Sequence, residues 1–246
     1  MSERPAPFSN RQAWVTALTS LSAGAEDGVT ILTPTTGRRS LHTLMASIDA
    51  QQLPTRPLHI LLWDAQRAAD APAPESLDAP HRWSLVLPPG FRGHGLAPGS
   101  ALRAVGLMLA CTPWVTFADD DVRWEPDHLA ALLTAVKGLE WASTLRRVWT
   151  SAGEPLGIDG FESVGDDPGR LVSYEMIDNN CMLFRRAHGV AAAPLYRQTA
   201  EYNDDRLMYA WLKAQAGARG STGRATLHQI CPPRLVEFFR AYCSPA

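Results

Sequence analysis

A chain of 246 residues with 46% apolar and 20% charged residues has the composition of a globular protein long enough to bury a sizeable core, not of a disordered or fibrous one. Its net charge of -2 excludes a broad nucleic-acid footprint, because no excess of Lys and Arg is present to neutralise phosphates. The adjacent pairs Arg38-Arg39, Arg146-Arg147 and Arg185-Arg186 still offer local clamps for a single anion.

The polar, proline-bearing start "MSERPAPFSNRQ" is unlike a signal peptide, and no apolar run approaches the ~20 residues that span a bilayer. Cys111, Cys181, Cys231 and Cys243 are far apart and form no C-x-x-C pair, so neither a zinc knuckle nor a disulfide framework is indicated. A cytoplasmic chain with reduced thiols and no transmembrane segment is the expectation. Ser9-Asn10 followed by Trp14, Leu18 and Leu21 predicts a short amphipathic helix. "VTILT" (29–33), stopping at Pro34, reads as a buried strand, and "SLHTLMASIDAQ" as a helix capped by Ser40 with Leu41, Leu44, Met45 and Ile48 inward. "LHILLW" (58–63) is a second strand, 65–80 a Pro- and Ala-rich surface loop, "WSLVLP" a third strand, 101–110 a helix and "WVTFA" a fourth strand. A helix opens at Pro126-Asp127 and runs through Val136. From Glu140 the chain reads as irregular until "DDRLMYAWLKAQ" resumes helical spacing. Strands alternating with helices imply right-handed crossovers and a mostly parallel sheet, whose ligands bind beyond the carboxyl ends of the strands. Pro34 to Arg39, Asp64 and Asp119 to Asp121 then share one edge.

The fourth strand ends in Asp119, Asp120 and Asp121. Three adjacent carboxylates repel one another, and a hard divalent cation, Mg²⁺ or Mn²⁺, relieves that repulsion while completing its shell with substrate phosphates. A solvated turn capping the next helix is the plainer alternative. An aspartyl-nucleophile phosphatase motif wants Thr or Val where Arg123 stands.

"RAVGLMLACTPWVTFADDDVRWEPDHL" (103–129) resembles the stretch R-N-x-G-L-x-x-A-x-G-x-Y-I-x-F-L-D-D-D-x-x-x-x-P-x-x-L of family 2 glycosyltransferases, with Arg103, Gly106, Leu107, Ala110, Phe117, the aspartates, Pro126 and Leu129 in step. Ala104 replaces the family's Asn and Thr112 its Gly. "VTILTPTTGRR" is similar to the family's opening strand, Ser47, Ile48 and Gln51 to the end of its first helix, and "HILLWDAQ" to its second strand, without the D-G-S that usually follows. "EYNDDRLMYAWLKAQAG" resembles the helix E-D-x-x-L-x-x-R-L-x-x-x-G, with Asn203 in place of Glu. "IDNNCMLFRR" resembles the segment lining the acceptor side of the cleft, and equally reads as a core strand.

The resemblance implies a GT-A fold: one domain over 1–246 with a Rossmann-like, mostly parallel sheet, a nucleotide-binding half near 28–138 and an acceptor-binding half near 139–246. It implies transfer of a sugar from a nucleoside diphosphate sugar, UDP-linked in the first instance, to an acceptor hydroxyl of unknown identity, with inversion. Pro34, Thr35, Thr36, Arg38, Asp64, Arg103, Asp119 and Asp120 would bind the nucleotide sugar. Asp121, Asp119 and His228 would hold Mn²⁺ or Mg²⁺. Asp204 matches the general base and Asp205 is second choice, although 203–205 also fit a simple helix cap. A single histidine such as His228 reads more readily as a core or surface residue than as a metal ligand. A sugar-nucleotide-binding module without turnover and a nucleotidyltransferase are the alternatives.

Overall fold

The computed structural model describes residues 26–64, 66–88, 99–167, 175–197 and 203–244; the helix expected near Trp14 lies outside them. Apolar runs form β1 (Val29–Thr35), β2 (Leu58–Trp63), β3 (Arg82–Val86) and β4 (Trp114–Phe117), aligned β3-β2-β1-β4 and all parallel. Helix α1 (Ser40–Asp49) follows β1 and buries Leu41, Leu44 and Ile48. Arg39, not Ser40, holds its cap position, without a side-chain bond, because the helical turn already includes Ser40. Helix α2 (Ser100–Leu109) follows β3 and lies close on the sheet at Gly106, where a Cβ would stand 2.6 Å from Leu62 Cδ1 and 3.1 Å from Leu32. Only glycine permits that approach.

Strand β1 continues past Pro34 rather than stopping there. Its pairing with β4 ends at Leu32 and Phe117, whereas pairing with β2 runs on to Thr35 and Trp63. Beyond Leu32 one flank of β1 has no ladder to fill, so a residue lacking an N–H is tolerated. The order of the strands also reverses between β1 and β4, which leaves a crevice at their carboxyl ends.

The second half is rich in strands, not irregular. After β5 (Val122–Trp124) and α3 (His128–Ala135) come β6 (Trp141–Trp149), β7 (Pro155–Asp159), β8 (Met182–Arg185), α4 (Arg186–Ala192), α5 (Asp204–Gln215), β9 (Arg219–Ile230), α6 (Val236–Tyr242) and β10 (Cys243–Ser244). The sheet runs antiparallel from β4 through β8, β6 and β7 to β10. Along the other edge of β6 lies β9, parallel to it, and β5 pairs antiparallel with β9. The sheet is therefore mixed, parallel from β1 to β4, and it curls until β5 reaches α1, where the Gln51 side chain donates to Glu125 O and accepts from Leu129 N. This is the α/β arrangement the GT-A resemblance implies. Among the described residues no helix is long and apolar enough to cross a membrane.

Two histidines are buried in this frame. His59 lies between Thr33 and Arg82, and His128 bonds Thr226 and stacks on Trp124. Burial lowers both pKa values from 6.5 to about 3, so both rings are neutral. The unfolded chain binds these protons below pH 6.5 and the folded one does not, so their contribution to stability is full above 6.5 and is lost as pH falls from 6.5 towards 3. Each can contribute a slope of up to about 1.4 kcal/mol per pH unit. Urea unfolding between pH 7 and pH 5 should show a shallower loss of stability in His128→Asn than in the wild type; equal slopes would refute the assignment.

Candidate functional site

Where β1 and β4 part, a cleft of about 320 Å³ opens under the start of α2, within the size range of small-molecule sites. Pro34, Thr35, Thr36, Arg38, Asp64, Arg103, Asp119 and Asp120, drawn from four separate segments of chain, all line it, together with Gly99 and Leu102. Gly99 caps α2 at a φ of 101°, a conformation that favours glycine.

Positive charge does meet the acidic triplet, and it is supplied by arginines. Asp120 is buried, accepts from Thr35 Oγ1 at 2.7 Å and pairs with the half-exposed Arg38. Thr35 Oγ1 in turn accepts from Gly37 N at 2.8 Å, which fixes the loop that carries Arg38. Asp119 pairs with Arg103 Nη2 at 2.5 Å. Asp121 is left with Arg38 Nη2 at 3.6 Å. Burial, reinforced by Asp119 and Asp120 against the pull of Arg38, pushes the Asp121 carboxyl up to about 7. It is the under-neutralised member of the three.

Arg103 also reaches Asp204 Oδ2 at 3.1 Å, and Ser100 Oγ donates to the same oxygen at 3.0 Å. Burial pulls the Arg103 guanidinium down, but Asp119 and Asp204 outweigh it and leave its pKa raised. A second brace comes from a 3-10 turn, Asn179–Cys181. Asn180 Nδ2 donates to Asp119 Oδ2 at 3.1 Å and to Asp178 Oδ1 at 2.7 Å, while Asp119 N donates to Asn180 Oδ1 at 2.5 Å. Asp178 pairs with the fully buried Arg146, which also binds Asp159, Glu162 and Gln229. Ser100, Asp178 and Asn180 are not among the residues the sequence singles out; the 177–186 stretch reads there as an acceptor-side segment or a core strand. Arg146 does clamp anions, but they are the protein's own carboxylates.

Asp204 and Asp205 open α5 in different surroundings. Asn203 holds the cap position without a side-chain capping bond, and its Oδ1 has no partner among the described residues. Asp205 Oδ1 accepts from Asn179 N at 2.9 Å. Burial, then Asp178 and Asp204, push the Asp205 carboxyl well above the usual carboxylate range, with Arg103 opposing. Asn179 Oδ1 accepts from Tyr196 Oη at 2.8 Å, and its buried Nδ2 has no partner among the described residues.

His228 is engaged by two other side chains. Trp149 Nε1, which can only donate, bonds His228 Nδ1 at 2.8 Å, so the ring proton lies on Nε2 and is donated to Glu125 Oε1 at 2.5 Å. Both ring nitrogens are thus occupied. Among the described residues no group of three His, Cys, Asp or Glu side chains is assembled for a metal. The donor set that fits a hard cation is Asp121 with one further carboxylate oxygen, the rest of the shell coming from water and substrate phosphate, as Mg²⁺ sites commonly do.

No family model matches this sequence, and neither does any curated protein. Solved structures match its fold. The crystal structure of S. aureus TarS 1-349 gives a TM-score of 0.62 at 15% identity over 86% of this chain and 65% of that one. The same segment in complex with UDP gives 0.62 at 16%, with the same coverage. Its complex with UDP-GlcNAc gives 0.59 at 16%, over 83% of this chain and 59% of that one. The chain thus spans about 65% of the TarS 1-349 structure. At such identity the likeness establishes the fold.

Removing one partner of a buried ion pair leaves an uncompensated charge, at a cost of about 3–5 kcal/mol. Arg103→Met should lose stability on that scale in urea unfolding. Adding Asp119→Asn and Asp204→Asn should recover most of it; if the triple variant is no more stable than Arg103→Met, the bridge is not the source of the loss.

Proposed function

We propose that this chain transfers a sugar from a nucleoside diphosphate sugar, UDP-linked in the first instance, to an acceptor hydroxyl with inversion. The Arg103 bridge carries the reading. It ties the triplet at the end of β4 to the paired aspartates at the start of α5, so a residue that lines the cleft holds both carboxylate groups in one relation. The fold shared with TarS, crystallised with UDP and with UDP-GlcNAc, supports it.

In this reading Pro34, Thr35 and Asp64 hold base and ribose, as the strand ends beside the crevice would. Arg38 and Arg103 face the diphosphate. Asp121 and Asp119 would hold Mn²⁺ or Mg²⁺, which when bound neutralises charge on the departing diphosphate. The acceptor oxygen attacks the anomeric carbon from the side opposite the diphosphate; the new C–O bond forms as the bond to the phosphate oxygen breaks. The acceptor proton passes to a carboxylate. Asp205 suits this better than Asp204, because Asp204 is engaged by both Arg103 and Ser100, whereas Asp205 accepts from Asn179 N and has no ion pair among the described residues. A donor-binding module without turnover is the second reading, favoured by the arginines that already occupy Asp119 and Asp120.

UDP should raise the melting temperature in Mn²⁺ through mass action. Asp121→Ala should abolish the metal-dependent part of that shift; a shift as large as in the wild type removes the metal assignment.

With UDP-GlcNAc and a panel of acceptors, Asp205→Asn should lose at least ~100-fold in UDP release while binding UDP as before. Loss in Asp204→Asn alone would return the base to Asp204, and no UDP release by the wild type would favour the binding module.

A further inference from the structure

Strands β5, β9 and β6 lie edge to edge, and their register pairs Arg123 with His228 and His228 with Arg147. Partnered residues share a face of the sheet, so the three side chains stand in a row. Trp149, two residues beyond Arg147, joins them: it donates to His228, and Arg123 lies over its ring at 5.3 Å. Side chains alternate along a strand, so this face is the reverse of the one that buries Arg146.

The two neighbouring arginines differ sharply. Arg146 engages four side chains, whereas Arg147 has neither ion pair nor hydrogen bond among the described residues, and its Nε is buried without a partner. Arg123 has no ion pair among them either. Glu125 is the carboxylate in contact with the row, and it is engaged by His228 Nε2. Burial holds His228 below its ordinary pKa, and Arg123 and Arg147 add to that against Glu125. Because Nδ1 accepts from Trp149, the ring carries its single proton on Nε2, and the formal positive charge of the row is that of two guanidiniums about 10 Å apart at their strands, a span their side chains can close. Ile230, paired with Trp149 and 46% exposed, borders the row with apolar surface.

We propose that Arg123 and Arg147 form a second anion site, separate from the cleft, that takes a phosphate group, either free or as an ester. Forked guanidiniums match phosphate oxygens, and neither of these two is paired with a carboxylate among the described residues.

The test titrates inorganic phosphate, and separately butyl phosphate, into the full chain at constant ionic strength, followed by tryptophan fluorescence. The wild type should give a saturable change. Arg147→Gln and Arg123→Gln should each weaken it by at least about tenfold, and Arg147→Lys, which keeps the charge but not the fork, should fall between. Arg38→Gln should leave it intact. Tighter binding of butyl phosphate assigns the site to esters seated against Ile230, and equal affinity assigns it to free phosphate. The proposal fails if the wild type shows no saturable change, if Arg147→Gln binds like the wild type with an unchanged melting temperature, or if Arg38→Gln abolishes binding, which would place the anion in the cleft.

Discussion

One guanidinium, that of Arg103, is shared between Asp119 at the end of β4 and Asp204 at the start of α5, and the candidate site is arranged around it. Taking an arginine out of water costs several kcal/mol and is offset only by close, well-directed carboxylates. Arg103 has two, contributed by segments 85 positions apart in sequence, so the helix that carries it, the triplet and α5 are held in one relation. Asn180 extends the constraint by fixing both the carboxylate and the backbone N–H of Asp119, and through Asp178 it connects the triplet to Arg146. The cleft wall is in this sense a polar network anchored at two buried arginines. Removing either one strands several carboxylates at once.

The first half of the chain was legible in the sequence because its signals are local. β1, β2 and β4 are short apolar runs, and the ends of such runs in a parallel sheet gather along one edge whatever their separation in sequence. That geometry alone brings Thr35, Asp64 and Asp120 together, and the spacing from Arg103 to Leu129 ties α2 to the triplet. Pro34 misled only about where β1 ends, since the freedom from β4 that permits a proline there is a property of the assembled sheet.

The second half hid its strands for a physical reason. β6 contains Ser143, Thr144 and Arg146, all buried, so apolar periodicity fails in the element that β7, β8 and β9 all pair with. In β9 the stretch GSTGRA reads as a loop and becomes strand only because β6 supplies a partner along its length. Most of the antiparallel pairings, and the contacts of Ser100 and Asn180, join segments far apart in sequence and leave no local trace. His228 shows the converse case: a histidine placed at the metal by resemblance is held by Trp149 and Glu125, neighbours that only the curl of the sheet provides.

The opening electrostatic puzzle of the triplet is half resolved by arginines, and the unresolved half bears on chemistry. Five carboxylates, Asp119, Asp120, Asp121, Asp204 and Asp205, face two guanidiniums, Arg38 and Arg103. The imbalance falls on Asp121 and Asp205, the two whose pKa values are driven up, while Asp119, Asp120 and Asp204 are each directly paired. A diphosphate entering this cleft adds negative charge to a site already in deficit of positive charge, so tight binding of such a donor requires that a cation or protons arrive with it. Asp121 and Asp205 are thus the carboxylates whose charge the protein leaves least compensated, and each stands one residue from a neighbour, Asp120 or Asp204, that a guanidinium holds closely.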